Sequence, residues 1–203
     1  MVYAIREWQD KVIRKYKMVN ENKRKCVEES VHQWLKTIVV GLNLCPFSKI
    51  PYRENRVRIK ADVCDQEEQA FESIIHEINL LDETDEQMLE TTLLVFPNLF
   101  HDFEHYNDFL YAANEFLRLR GWEGIYQIAS FHPNYQFAGT QVSDAENYTN
   151  RSPYPILHFI REASLSVAIE AYPDVDQIPE RNIALMNRLT NDELKQYFAW
   201  CFK

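Results

Sequence analysis

The sequence predicts an α/β fold with a small, mainly parallel sheet that is flanked by N-terminal and C-terminal helices. Apolar residues alternate between strand and helix periods through residues 57–131, so the middle of the chain is β-α-β-α-β. Each connection is long enough for a right-handed parallel crossover. With 203 residues, 46% of them hydrophobic, the chain fits one buried core. We expect a single α/β domain over residues 26–203.

A basic helical arm is predicted at residues 1–25, because this stretch holds eight Lys or Arg and three Asp or Glu. Its apolar stripe at helical spacing is formed by Ile5, Trp8, Val12, Ile13 and Tyr16. Such a helix packs on its own acidic domain, which we favour, or lies on an acidic partner or an anionic membrane surface.

Residues 26–42 have the spacing of an amphipathic helix, with Gly41 near its end and Pro46 preventing its continuation. Residues 56–63 alternate strictly and predict a strand. Its apolar face is Val57, Ile59, Ala61 and Val63, and its charged face is Arg56, Arg58, Lys60 and Asp62. The charged row could extend an anion site, but such rows more often keep an edge strand soluble.

Asp65 and Glu68 resemble a capping box for a helix through residue 81. Residues 91–96, TTLLVF, are apolar on both faces and predict an interior strand. The next helix has Asp102 as its N-cap and Gly121 as its left-handed C-terminal cap, and residues 124–131 form the third strand.

The C-terminal part is predicted to be helical. Ser152 and Pro153 begin a helix that contains Ile156, Leu157 and Ile160. Residues 165–172 alternate as a strand would, but we favour a helix. A further helix begins at Pro179, and a last one begins with a capping box at residues 190–193 and ends near Trp200.

Residues 127–158, the polar segment, have many hydrogen-bonding side chains, no lysine and three formal charges, which is unusual for a solvated loop. His132 lies where the third strand ends, near Ser130, as ligand sites in open parallel sheets do. With Asp144 to orient its ring, His132 is a candidate general acid or base. The alternative is a histidine that caps strand-end carbonyl groups.

Arg151 precedes the predicted helix start at Ser152, where free amides and the helix dipole favour an anion. Arg151 is therefore predicted to bind a carboxylate or phosphate, unless it only forms an ion pair with Asp144 or Glu146. The other candidate ligand-binding residues are Asn147, Asn150, Ser152, Thr140, Ser130 and Asn98. Asn147, Asn150 and Thr140 could instead satisfy loop backbone groups.

Histidine and cysteine give weaker signals. His101 and His105 match the HxxEH pattern of inverted zinc peptidases, and His132 could join His158 in a different metal site, but neither pair has a third ligand at a distinctive spacing. We predict no metal and no cofactor. Cys45 could be a nucleophile, but it follows a helix C-terminus, which disfavours a thiolate, so we favour a small buried or capping role.

Bulk properties exclude several classes of protein. A net charge of −9 disfavours nucleic-acid binding. The uncharged run of residues 37–48 is too short to cross a bilayer. Four widely spaced cysteines fit reduced thiols in the cytoplasm. The sequence leaves the oligomeric state undetermined.

Several long strings are similar to a bacterial family known as domain of unknown function 1415. The resemblance covers about residues 26–189 and rests on GLNLCPF, TTLLVFP, DFEHYNDFL, QIASFHPNYQFAGT, DAENYTNRSPYPILHFIREAS and PERNIAL. It implies a bacterial cytoplasmic protein and transfers no mechanism. The family usually has an acid at the position of His105, which weakens the zinc-peptidase hypothesis.

The leading hypothesis is an enzyme that acts on a small anionic metabolite, with Arg151 holding the anion and His132 as acid or base. The alternative is a non-catalytic module that binds a ligand or a protein. A third hypothesis is a metalloprotein that uses histidine residues. A concave pocket at the polar segment would favour the enzyme.

Overall fold

A computed structural model describes the backbone of residues 2–202 and the side chains of residues 17–202. The α-helices are α1 (Val2–Trp34), α2 (Lys49–Arg53), α3 (Glu67–Glu83), α4 (Phe103–Leu119), α5 (Glu162–Glu170), α6 (Ile178–Arg188) and α7 (Asn191–Tyr197). The strands are β1 (Val57–Ala61), β2 (Thr91–Val95), β3 (Tyr126–Phe131) and β4 (Ile156–Arg161). A π-helix spans Leu35–Val40, and 3-10 helices span Pro46–Ser48, Ala145–Asn150, Val175–Gln177 and Ala199–Phe202.

The four strands form one sheet in the order β1-β2-β4-β3, flanked by helices, which confirms the predicted α/β class. Strands β1 and β2 are parallel, as expected for a crossover through α3. Strand β4 lies between β2 and β3 and is antiparallel to both. The sheet is therefore mixed, and the predicted mainly parallel arrangement is wrong.

The error comes from β4, which was predicted as a helix. Ile156 packs on one side of the sheet, and Leu157 and Phe159 pack on the other, so the strand is apolar on both faces. A short run of this kind matches the spacing of a buried helix as well as that of a central strand. The segment after it does form a helix, α5, as predicted.

A hydrophobic layer covers each face of the sheet. Helices α3 and α4 pack on one face, where Leu94, Leu157 and Phe159 are fully buried. The end of α1, the π-helix and parts of α6 and α7 cover the other face, where Leu93, Val95 and Ile156 are buried. Because both faces are covered, an open site on the sheet requires a gap between helices.

The alternation predicted for β1 is confirmed. Val57, Ile59 and Ala61 belong to the layer on the α1 side, and β1 is an edge strand. On the opposite face, Arg58 forms two hydrogen bonds, of 2.7 Å and 3.2 Å, with Glu77 of α3, which is 1% exposed. Arg58 therefore has a buried partner and does not belong to an anion site.

Most predicted helix caps are confirmed. Asp102 accepts a hydrogen bond from the first turn of α4, and Thr190 forms a complete capping box at α7. Gly121 has a φ of 76°, the left-handed conformation expected after α4. The box predicted at Asp65 is wrong, because α3 begins one residue later with Gln66 as a cap that makes no side-chain bond.

Helix α1 runs through the predicted boundary at residue 25 and continues into the π-helix. The side chains of the predicted apolar stripe, among residues 2–16, lie outside the described residues. In the described range, no helix combines the length and apolar character needed to cross a membrane.

Candidate functional site

His132 is completely buried at the end of β3. Its Nε2–H donates to the Phe100 carbonyl at 2.8 Å, and its Nδ1 accepts from the Asn134 amide at 3.0 Å. The rings of Phe103 and Tyr106 pack at centroid distances of 5.2 Å and 5.1 Å. Burial lowers the pKa of His132 below its ordinary value of 6.5. Both ring nitrogens are thus occupied by backbone groups, which matches the structural alternative and leaves no nitrogen free for proton transfer.

Asp144 does not orient His132. Its Oδ2 accepts a hydrogen bond of 2.8 Å from the amide of Gln141, three residues earlier in the same loop. The predicted acid-base pair is therefore not formed, because each of its members bonds to the nearby backbone.

Arg151 lies inside the polar segment with 6% of its surface exposed. Its guanidinium donates to the carbonyl groups of Tyr135, at 3.3 Å, and Val142, at 2.8 Å, and it lies 4.2 Å from the ring centroid of Tyr148. No helix begins at Ser152: the backbone of Arg151 is extended, and the chain leads into β4. The predicted helix terminus at Ser152 is wrong, and Arg151 connects two turns of its own loop.

Asn147 organises the same loop. Its side chain is fully buried and accepts from the Phe137 amide at 2.9 Å, while its Nδ2 donates to the Gln141 carbonyl at 2.7 Å. The Thr140 hydroxyl lies 2.9 Å from Asn147 Oδ1. Gly139, with a φ of 83°, permits the turn before Thr140.

The four other candidate residues also make internal contacts. Asn150 donates to the Ser130 carbonyl at 3.2 Å, and the Ser152 hydroxyl donates to the Tyr154 carbonyl at 2.5 Å. Asn98 follows β2, donates to the Val63 carbonyl at 2.7 Å and accepts from Lys23 of α1. These residues tie segments of the fold together. Asn150 also lines a cavity of about 520 Å³, to which neither His132 nor Arg151 contributes.

An open cavity of about 610 Å³ lies on the α1 side of the sheet, and we call it the α5 pocket. Its floor is formed by strand side chains, namely Val57, Thr91, Leu93, His158 and Ile160. One wall is α5, which has no buried residue, and the other is the segment of residues 45–51. This size and this apolar lining are typical of small-molecule sites.

His158 is the titratable group on the floor of the α5 pocket. Its Nε2 lies 2.6 Å from the hydroxyl oxygen of Thr91, which lies 2.5 Å from the Phe159 carbonyl oxygen. Because a carbonyl oxygen can only accept, the Thr91 hydroxyl donates its single hydrogen to the Phe159 carbonyl. The Thr91 oxygen must then accept from His158, so Nε2 of His158 carries a hydrogen. Burial lowers the pKa of His158 to about 4. The ring is therefore neutral at pH 7, and its Nδ1 is the unprotonated nitrogen.

Arg56 lies at the rim of the α5 pocket with its charge already matched. Its guanidinium contacts Glu54 at 2.9 Å and Glu90 at 2.6 Å and donates to the Glu86 carbonyl at 3.1 Å. Arg56 and Glu90 are largely buried, whereas Glu54 is exposed, so only the Arg56–Glu90 contact is shielded from water. The two partner carboxylates outnumber the one guanidinium, and the rim is acidic.

A second cavity of about 520 Å³ adjoins the α5 pocket, and Cys45 lines both. The π-helix contributes Leu35 to the α5 pocket and Val39 to the second cavity. Burial raises the pKa of the Cys45 thiol, so the thiolate is disfavoured. The Cys45 carbonyl accepts from the Ser48 hydroxyl at 2.7 Å, and the Cys45 side chain forms no capping hydrogen bond.

The histidine pairs considered for a metal do not converge. His105 Nε2 lies 2.7 Å from Glu67. His132 bonds to the Phe100 carbonyl and His158 to the Thr91 hydroxyl, so these two rings have separate partners. Among residues 17–202, whose side chains are described, no group of three His, Cys, Asp or Glu side chains has a geometry that could hold a metal ion.

The α5 pocket is not marked in the sequence by a dense group of polar residues. His158 lies in a segment with the spacing of a helix, and its sequence context suggests at most a metal ligand. Two signals were present: His158 alternates with Ile156 and Ile160 on one strand face, and small residues recur in the next helix, at Ala163 and Ala168.

Comparison with known proteins adds a family but no activity. No curated protein and no solved structure matches the chain. A family described as "Protein of unknown function (DUF1415)" matches residues 26–196, which include β1 to β4 and the α5 pocket. The match covers most of the chain, and the protein belongs to this family.

Proposed function

We propose that the protein binds a small, mainly apolar molecule in the α5 pocket, with His158 as a polar contact. The observation that carries the proposal is an apolar cavity of about 610 Å³ whose floor contains a neutral histidine. A cavity with few polar groups and a residue of shifted pKa is a typical ligand site. The proposal corresponds to the alternative hypothesis from the sequence, a non-catalytic module that binds a ligand.

The enzyme hypothesis for an anionic metabolite has less geometric support. Both ring nitrogens of His132 form hydrogen bonds with backbone groups. The guanidinium of Arg151 donates to two carbonyl groups and lies over one aromatic ring. Neither residue lines the α5 pocket or the second cavity. An anion at the polar segment would have to replace these buried hydrogen bonds, at a cost of about 1–3 kcal/mol each.

The π-helix gives independent support. Such π-helical turns are rare in proteins overall, but those that do occur are often located at functional sites. Here the turn spans Leu35–Val40 and borders both cavities through Leu35 and Val39.

The test is the binding of Nile red, a neutral apolar dye, followed by its fluorescence. We expect saturable binding to the wild type and an affinity at least about tenfold lower, equal to about 1.4 kcal/mol, in Ala168→Trp. Ala168 is half-buried on the pocket side of α5, so an indole there would occupy part of the cavity and obstruct the ligand.

The matched control is Ala112→Trp, an exposed position of α4 outside both cavities. This variant should bind Nile red as the wild type does. Equal binding by all three proteins, or no saturable binding by the wild type, would contradict the proposal.

A further inference from the structure

The α5 pocket offers its ligand a hydrogen-bond acceptor on the floor. The donor hydrogen of His158 lies on Nε2 because the Thr91 hydroxyl donates to the Phe159 carbonyl at 2.5 Å. The other ring nitrogen, Nδ1, keeps a lone pair, and within the described residues it has no hydrogen-bond partner. A ligand group that fits this nitrogen must donate a hydrogen bond.

The rim of the pocket disfavours negative charge. The charged residues that line it are Arg56, Glu86 and Glu90, and Glu54 adds a further carboxylate on Arg56. Arg56 contacts two of these carboxylates and one carbonyl group, so its charge is already offset. An entering carboxylate or phosphate would meet an excess of negative charge at the rim, where Glu90 is half-buried and its repulsion is less screened than in water.

These two features are independent and favour the same ligand chemistry. Resting on the proposed function, we infer that the α5 pocket selects apolar molecules whose polar end is a hydroxyl or an amine, and that it rejects carboxylates and phosphates. The hydroxyl or amine donates to His158 Nδ1. The apolar part lies against Leu93, Ile160 and the Ala168 side of α5.

The test compares three probes with the same apolar chain, 1-octanol, octylamine and octanoate, as competitors of Nile red. We expect 1-octanol and octylamine to displace the dye at concentrations at least about tenfold lower than octanoate. Octanoate displacing the dye as well as 1-octanol would overturn the inference and leave the pocket intact. If Nile red does not bind at all, the proposed function itself fails.

Two variants test the two features separately. His158→Phe keeps the ring and removes the acceptor, so the affinity for 1-octanol should fall about five- to tenfold, as expected for one lost hydrogen bond, while Nile red still binds. Unchanged 1-octanol affinity would overturn the assignment to His158. A loss of Nile red binding in this variant would instead indicate damage to the pocket, and a thermal melt would identify misfolding.

Glu86→Gln removes one rim charge at an exposed position. The preference for octylamine over octanoate should decrease at least about twofold at low ionic strength. Glu104→Gln, an exposed change at the start of α4, is the control and should leave this preference unchanged. Equal effects of the two variants would overturn the role of the rim.

Discussion

The polar segment and the α5 pocket use polar groups in opposite ways. In the segment, His132, Asn147 and Arg151 are buried, and each forms two hydrogen bonds with backbone groups. In the pocket, polar and charged residues such as Arg56, Glu86 and Glu90 line the rim, and the floor is mainly apolar apart from Thr91 and His158. One ring nitrogen of His158 has no hydrogen-bond partner among the described residues. The buried polar groups of the segment are satisfied internally, whereas the pocket floor keeps hydrogen-bonding capacity.

The difference shows that the number of polar side chains is a poor guide to a binding site. A loop with little secondary structure needs side chains to satisfy its buried amides and carbonyls, because unpaired buried groups cost free energy. Asn147 and Arg151 do this for residues 135–142. A binding group must keep hydrogen-bonding capacity that the fold has not used. The predictions below test this contrast, beginning with the largest expected effect.

Asn147→Ala should lower the free energy of unfolding by about 3–5 kcal/mol, because it leaves the Phe137 amide and the Gln141 carbonyl without their buried partner. Urea denaturation measures the change. Asn187→Ala is the control: it removes one exposed bond within α6 and should change stability by less than about 0.5 kcal/mol. A small effect at Asn147 would mean that the segment is not held by its own side chains.

Acid should destabilise the protein through His158, whose pKa falls from 6.5 to about 4 on burial. The unfolded chain takes up the proton at a higher pH than the folded protein does. The stabilising contribution of the neutral His158 ring is therefore fully present above pH 6.5, and it is lost as the pH decreases toward 4. The loss is about 3 kcal/mol for this shift. His158→Gln should remove this part of the slope, measured as the difference between urea titrations of the two proteins. Parallel pH profiles would contradict a buried neutral ring.

Arg151→Lys should cost about 2 kcal/mol, although the charge is kept. A lysine cannot donate to two carbonyl groups in a fixed fork and stacks less well on the Tyr148 ring. Urea denaturation again gives the value, with Arg118→Lys on the exposed face of α4 as the control. Were Arg151 instead an anion site, the mutant would keep its stability and lose its response to added phosphate.

Ala168→Trp should have the smallest effect on stability, within about 0.5 kcal/mol, since α5 has no buried residue to displace. Thermal melts of this variant and of Ala112→Trp should coincide with that of the wild type. A large loss would mean that the α5 pocket is smaller than described and that the wall cannot accept an indole.

Much of the fold was predictable because its signals are local. The alternation of β1, the N-cap at Asp102 and the capping box at Thr190 depend on residues a few positions apart. The position of β4 was not predictable in this way. Residues 156–161 are apolar on both faces because helices cover both sides of the sheet, and only pairing with β2 and β3 distinguishes this strand from a helix.

The site was less predictable than the fold for a related reason. His158 reaches the α5 pocket only because β4 is a strand, and the pocket itself lies between α5 and residues 45–51, which are far apart in sequence. His132 was located correctly at a strand end, but its bond to the Phe100 carbonyl, 32 positions away, determines its role. A sequence gives the residue type and leaves such distant partners undetermined.

The π-helix makes the shape of the site sensitive to chain length. Each hydrogen bond of a π-helix encloses one residue more than a hydrogen bond of an α-helix. The π-helix that follows α1 is therefore equivalent to the insertion of one residue into a continuous α-helix. Deleting one residue from Leu35–Val40 would restore the regular α-helical period and remove the widened turn that borders both cavities. Leu35 and Val39 would then change their relation to the two cavities. Relatives that differ in length at this point should therefore have a differently shaped site even when every lining residue is identical.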